Sequence, residues 1–332
     1  MMRPFKVGID SYSLKPLDLS PFELLEWAMI NEADGVQFSE TNLPRSDVPD
    51  KALLEDLRSY AAENGLYLEW GGGEHIPLDP VTGAKKDIFS INKKAAAEAC
   101  LLGVDTVRSC SGGLMRWKED STPTGELLRL MAGALREQKT MLRDFGVILA
   151  IETHFEFTSF ELVRLFEMSG AVPGEYLGVC LDTMNLLTML EDPESASERL
   201  LPWVVTTHVK DGGLLLTEDG LVSFPAEAGT GVVDLAAIIE KLSAGPRKIN
   251  LSIEDHGGEF LIPIHEAGFL AKFPDLTSLE LAKLLGLAAR SQSLKDQKKL
   301  AILDRARWPE VCERRVKHGL RAIRRIVGER TG

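Results

Sequence analysis

Eight short apolar runs punctuate the chain, and longer amphipathic stretches separate most of them. The runs cover residues 6–13, 35–39, 66–70, 105–109, 147–154, 177–185, 204–211 and 249–256. The amphipathic stretches cover 21–33, 50–64, 87–102, 124–145, 158–168, 193–201 and 234–243. Parallel strands need a long crossover, and a helix supplies it, so this alternation predicts an α/β fold with a parallel sheet. Eight such units predict a (β/α)8 TIM barrel. Ser20 and Pro21 read as the N-cap and first turn of a helix, and Gly65 and Gly103 as helix stops. A doubly wound open sheet is the competing arrangement. It loses support because no GxGxxG follows the first run and no GxxxxGK[ST] occurs. After the seventh run, LLLTEDGLVSF predicts a hairpin turning at Glu218-Asp219-Gly220, an excursion over the barrel mouth.

The alternation stops near Gly257. Residues 1–257 are therefore expected to form the barrel, and 258–332 a C-terminal helical extension packed on it or held in a subunit contact. Helices are expected at 278–287 and 308–327. The second is basic (RRVKHGLRAIRRI) and reads as a solvated or subunit-contacting face rather than a nucleic-acid arm.

The net charge of −12 argues against a phosphate-backbone partner, which needs basic surface. No apolar run reaches the ~20 residues of a membrane span, and the first residues lack the apolar core of a signal peptide. Four scattered cysteines form no CxxC pair, so neither a disulfide framework nor a structural zinc site is indicated. A cytoplasmic protein is the expectation.

The last four runs are VILAIETH, LGVCLDTMN, VVTTHVKD and INLSIEDH, and each carries an acid or a histidine near its end: Glu152, Asp182, His208 and Glu254. Strand side chains alternate between faces. Glu152 therefore shares a face with Ala150 and His154, Asp182 with Cys180, His208 with Thr206 and Lys210, and Glu254 with Ser252 and His256. Ile151, Val179, Leu181 and Ile253 take the other face, which suits packing against helices. The polar set then points into the barrel near its C-terminal mouth, where barrel enzymes hold their sites. Three carboxylates buried together without a counter-charge cost several kcal/mol. A bound divalent cation supplies that charge.

The segments IET-H, LDTMN, HVKD and SIED resemble the corresponding strand ends of the xylose-isomerase-like barrel superfamily, which includes sugar (phosphate) isomerases and epimerases. The likeness spans residues 6–257. It implies one divalent metal, manganese first and magnesium, cobalt or zinc as alternatives, held by Glu152, Asp182, His208 and Glu254. It also implies a sugar isomerase or epimerase that abstracts a proton α to a carbonyl through a metal-stabilised enediolate, with Glu152 and Glu254 moving the proton. The sequence departs from the epimerase pattern at Asn185, at 210–213 where an arginine is usual, and at His154. An imidazole is well tuned as a base near neutral pH, which makes His154 a further candidate. His154 and the long tail are similar to the large subunits of bacterial C-glycoside deglycosidases. That resemblance implies a lyase that cleaves the aglycone of a 3-oxo-glycoside by β-elimination, working with a small partner subunit. A DNA-repair endonuclease of the same barrel group needs more histidine ligands and a basic groove than this chain offers. The expected partners are a carbohydrate or 3-oxo-glycoside and a second copy of the chain, with neither nucleic acid nor membrane.

Further substrate-binding candidates are Arg108, Lys210, His256, Glu74 and His75, all near strand ends. Trp70 and Trp117 are candidates for stacking on a sugar face. Asp10 and Tyr12 are expected to line the pocket.

Overall fold

The computed structural model describes residues 5–39, 48–79 and 82–329. Its strands are β1 (Val7–Asp10), β2 (Gly35–Phe38), β3 (Tyr67–Gly73), β4 (Thr106–Ser109), β5 (Ile148–Glu152), β6 (Leu177–Asp182), β7 (Val204–Val209), β8 (Asp211–Thr217), β9 (Gly220–Ala226), β10 (Leu251–Ile253) and β11 (Phe260–Ile262). Its helices are α1 (Pro21–Ile30), α2 (Lys51–Glu63), α3 (Ile88–Leu102), α4 (Thr124–Glu137), α5 (Lys139–Phe145), α6 (Ser159–Met168), α7 (Asn185–Thr188), α8 (Pro193–Leu200), α9 (Leu235–Ser243), α10 (Ala267–Leu270), α11 (Ser278–Asp296) and α12 (Trp308–Glu329).

Eight parallel strands close into a barrel in the order β1-β10-β7-β6-β5-β4-β3-β2. This is the expected TIM barrel. Local sequence sets the helix starts: Ser20 and Glu23 form a capping box on α1, and Thr158 and Glu161 form another on α6. The outward face of the strands, including Ile151, Val179, Leu181 and Ile253, joins the main apolar core between barrel and helices. A small inward cluster of Ile148, Ala150, Cys180 and Val205 fills part of the barrel. Tyr67 crosses the lower interior, where Cβ atoms on Gly8 and Gly35 would lie only 2.4 Å from its side chain. The two glycines make room for that ring.

The hairpin is present: β8 and β9 pair antiparallel from Asp211↔Ala226 to Thr217↔Gly220, and β11 adds a third strand. Three expectations change in detail. The first strand ends at Asp10, whose carboxylate accepts from the backbone N–H of Tyr12 at 2.8 Å and opens a 3-10 turn over Ser11–Leu17. The single helix expected over 124–145 is interrupted at Gln138. Its side-chain amide donates to the Ala134 carbonyl at 3.1 Å, the acceptor its own backbone N–H would use in a continuous helix. The helix expected over 278–287 continues to Asp296.

Helix α12 packs on β1, β10 and the turn after β1. Val316, Leu320 and Ile323 are buried in the main core. Arg315 donates two hydrogen bonds of 2.6 Å to the Asp255 carboxylate beside β10. The helix that covers the β10–β1 seam therefore comes from the tail. Helix α11 instead packs on β8, where Ser291 Oγ accepts from the Leu214 N–H at 3.0 Å. No helix among the described residues is long and apolar enough to cross a membrane.

Candidate metal centre

Glu152, Asp182 and His208 sit at or near the C-terminal ends of neighbouring strands, and Glu254 follows β10 directly. Strand register aligns them: Glu152 pairs with Cys180, Asp182 with His208, and His208 with Ser252. One donor atom from each of the four lies within 4.8 Å of the others. His208 Nδ1 is 3.5 Å from Glu152 Oε1 and 3.7 Å from Glu254 Oε2. Glu152 and Glu254 line a mouth cavity of about 940 Å³, with Asp182 and His208 buried beside them.

Side-chain orientation is enforced from below and behind. Gln37 Nε2 donates to Glu69 and Thr206, at 3.1 Å each, so its Oε1 faces His208 and accepts from Nε2–H. His208 Nδ1 is thereby left towards the carboxylates. Asp182 Oδ1 accepts the backbone N–H groups of Met184 and Asn185 at 2.9 Å, which frees Oδ2 for the cluster. Arg108 Nη1 donates to Glu152 Oε2 at 2.6 Å. Lys210 Nζ lies between Asp182, at 2.8 Å, and Glu254, an ion pair with each.

The titration behaviour follows from these neighbours. Burial pushes the Asp182 carboxyl up to about 6 against the pull of Lys210. Burial also acts on Glu254, but the Lys210 ammonium and His208 outweigh it and hold this carboxyl below the usual range. Burial would lower His208, yet Glu152 and Glu254 raise it well above an ordinary imidazole. Two carboxylates that favour a proton on that ring favour a metal cation equally.

The donor set fits a divalent cation. Asp182 Oδ2, His208 Nδ1 and Glu254 Oε2 are buried and none makes a hydrogen bond of regular geometry. Asp10, Glu152, Asp182 and Glu254 are four buried or nearly buried carboxylates facing two cations, Arg108 and Lys210. Two negative charges stay uncompensated with His208 neutral, the charge one divalent ion supplies. Three carboxylates and one imidazole suit magnesium or manganese and also accept zinc or cobalt.

His154 stands at the cavity wall, and its Nδ1 lies 2.9 Å from Glu156 Oε1. Burial opposes its protonation, but the Glu156 carboxylate prevails and raises it to about 9. The Glu156 carboxylate thus favours the protonated ring, which bears on the base role expected of His154. His256 also lines the cavity; its Nδ1 donates to the Gly257 carbonyl, and its Nε2 is 3.3 Å from Lys210 Nζ. Glu74 lines the cavity too, tied to Lys86 and Ser111.

Three expected contacts are not made. His75 is fully buried behind the wall, with Nδ1 2.8 Å from Ser109 Oγ and its ring on Phe157. Beyond the end of β3, its backbone N–H donates to Ser111 Oγ at 3.0 Å and its ring turns away from Glu74. Trp70 is a core residue against Phe38 that donates to Glu98. Trp117 packs on Phe269 and donates to the Leu261 carbonyl at 2.7 Å. Tyr12 lines the cavity as expected, whereas Asp10 sits beneath it, accepting from Ser39.

The sequence reading missed Cys110, Glu156, Gln37 and Arg305. Cys110 lies close to Glu152 and His154. Gln37 shares the inward face of the second strand with Gly35 and Ser39, so period two could have found it. No local pattern points to Arg305.

Residues 26–272 match the family model described as xylose isomerase-like TIM barrel. Among curated proteins, the chain is 27% identical over 207 residues to a 3-oxo-isoapionate decarboxylase from Pectobacterium atrosepticum; the match spans 61% of this chain and 66% of the length of that relative. A structure of L-ribulose 3-epimerase superposes with a TM-score of 0.59 at 20% identity, covering 88% of this chain and 95% of that one. A xylose isomerase-like TIM barrel protein from Mycobacterium smegmatis, in complex with magnesium, superposes with a TM-score of 0.57 at 14% identity, covering 86% and 98%. At these identities the structural likeness is one of fold. The closed eight-stranded barrel and the family match over most of its length give one conclusion: the chain belongs to the xylose isomerase-like TIM barrel family.

Proposed function

We propose that the protein is a divalent-metal-dependent sugar isomerase or epimerase that moves a proton on the carbon next to a carbonyl. The carrying observation is the convergence of Glu152, Asp182, His208 and Glu254, whose donor atoms lie within 4.8 Å of one another beneath a cavity ample for a sugar. Glu152, Asp182, His208 and Glu254 would hold the metal, which supplies Lewis-acid polarisation of a carbonyl when bound. Glu254 and Glu152 face the cavity and are the groups that take and return the proton. The Lys210 ammonium beside Glu254 stabilises negative charge on a substrate oxygen. His154, paired with Glu156, holds a proton at the wall and offers it as a hydrogen bond to a substrate oxygen without transferring it. Phe155 and Phe260, with ring centroids 4.5 Å apart, offer an apolar wall to the C–H face of a sugar.

The second reading is a lyase on a 3-oxo sugar derivative, including a 3-oxo-glycoside. The decarboxylase named among the curated relatives supports it. The same cations stabilise the negative charge: carbon dioxide would leave in place of the α proton, whereas an aglycone would leave by β-elimination after that proton has been taken. Incubation in D2O with ketoses, 3-oxo-glucosides and 3-oxo sugar acids separates the two. Deuterium on the α carbon of an intact sugar supports the isomerase. Release of carbon dioxide or an aglycone supports the lyase. No exchange and no release, with metal supplied, would contradict both.

A further inference from the structure

The wall of the mouth cavity carries three arginine or lysine side chains among the described residues: Arg108, Lys210 and Arg305. The first two are spent on carboxylates of the floor. Arg305 is not. Its Nη1 donates to the Gly257 carbonyl at 3.1 Å and its Nη2 to the Tyr12 hydroxyl, both neutral acceptors. A guanidinium has five N–H donors, so these two bonds leave the charge and most of the donor edge available. The group is also held flat. Its central carbon lies 4.7 Å from the Trp308 ring centroid and 5.7 Å from that of Tyr12. Aromatic faces orient a guanidinium without neutralising it.

The backbone that carries Arg305 is itself seated on the barrel. The Gly258 N–H donates to the Leu303 carbonyl at 2.9 Å. A Cβ on Gly257 would lie 3.0 Å from the Leu303 oxygen, 3.1 Å from the Asp304 oxygen and 3.2 Å from the Arg305 Cα. The close approach of the tail segment therefore depends on glycine there. Asp304 accepts from the Ala306 N–H at 2.8 Å and fixes the turn that projects Arg305.

We infer that Arg305 is the recognition site for a carboxylate carried by the substrate, so that the cavity takes an acidic sugar. This rests on the reading of the cavity as the active site. A planar, unneutralised guanidinium fits the two oxygens of a carboxylate. A phosphate dianion fits less well, because Glu259 and Asp304 also line the wall and oppose a dianion about twice as strongly as a carboxylate monoanion. The tail, remote in sequence from the metal ligands, thereby sets substrate class.

The test is calorimetric titration of the full chain, supplied with magnesium and again after chelator treatment. The probes are aldonates (threonate, xylonate, gluconate), the matching alditols, and glucitol 6-phosphate. At least one aldonate is expected to bind ~10-fold more tightly than its alditol, the worth of one charge-assisted pair. In Arg305→Gln that preference falls towards unity while alditol affinity holds; Arg305→Lys retains part of it. Aldonates no tighter than alditols, an unchanged preference in Arg305→Gln, or a preference for the phosphate ester would overturn the assignment. So would an equal loss of both probe classes in Arg305→Gln, the mark of a merely structural arginine. An Arg305→Gln effect of the same size with and without metal belongs to the arginine, so failure of the metal centre would leave the result readable.

Discussion

Two buried polar rings share the barrel interior, and they differ in what they leave unsatisfied. In the lower ring, Glu69 Oε2 accepts from Thr206 at 2.8 Å, Gln37 at 3.1 Å and Ser252 at 3.2 Å, and its Oε1 accepts from Asn250 at 3.0 Å. Tyr67 closes the set through Ser252 at 2.9 Å. In the upper ring, His208 Nδ1 keeps no hydrogen-bond partner, and Asp182 Oδ2 and Glu254 Oε2 share the one Lys210 ammonium as an ion pair. Both rings are largely buried, although Glu152 and Glu254 reach the cavity, so burial alone does not mark a site. A closed network holds the barrel together; an open one waits for a ligand.

The largest effect belongs to the open ring. Glu254→Gln removes a charge and a donor, and turnover should fall by about 10³-fold or more, with the circular dichroism spectrum unchanged. Residual activity near that of the wild type would remove Glu254 from the proposed chemistry. Next, His154→Ala should lower turnover by about 10²-fold while metal content stays at the wild-type level. Loss of metal in that variant would make His154 a ligand instead. Gln37 joins the two rings, since it accepts from His208 and donates to Glu69. Gln37→Leu should weaken metal binding by about 10-fold, read by competition with a chromophoric chelator; unchanged affinity would uncouple the rings.

The closed ring is tested through stability rather than turnover. Burial is the leading cause that raises the Glu69 carboxyl from 4.5 to about 7, and its hydrogen bonds offset only part of it. The folded state then keeps a proton that the unfolded chain releases. Stability therefore falls as pH rises from 4.5 to about 7 and is flat on either side. The loss is about 3 kcal/mol at most. Glu69→Gln should remove this dependence, so denaturant melts of the two proteins should diverge with pH in favour of the variant. Parallel pH profiles would show that burial leaves Glu69 titrating as it does in the unfolded chain.

The upper ring was legible because each of its members ends an apolar strand with the same inward parity. Glu69 lies on the inward face of β3 by the same rule, but one carboxylate on one strand carries no convergence signal. Its partners come from three other strands. The helix over the β10–β1 seam was hidden by the β11 and α11 insertion, which breaks the alternation some fifty residues before α12 begins. Gln138 and His75 failed for a different reason. A side chain competing for one carbonyl, or one residue of parity in a glycine-rich loop, is decided by tertiary contacts. Arg305 needed the fold itself, since only the packing at Gly257 brings the tail to the mouth.

The need of the upper ring for a divalent cation is tested most directly by elemental analysis after purification without chelators, on the wild type and on Asp182→Asn. One divalent ion per chain in the wild type, and a marked loss in the variant, is the expected result. A wild-type protein that holds no divalent metal even when supplied with it, or a variant that holds as much as the wild type, would contradict the metal centre.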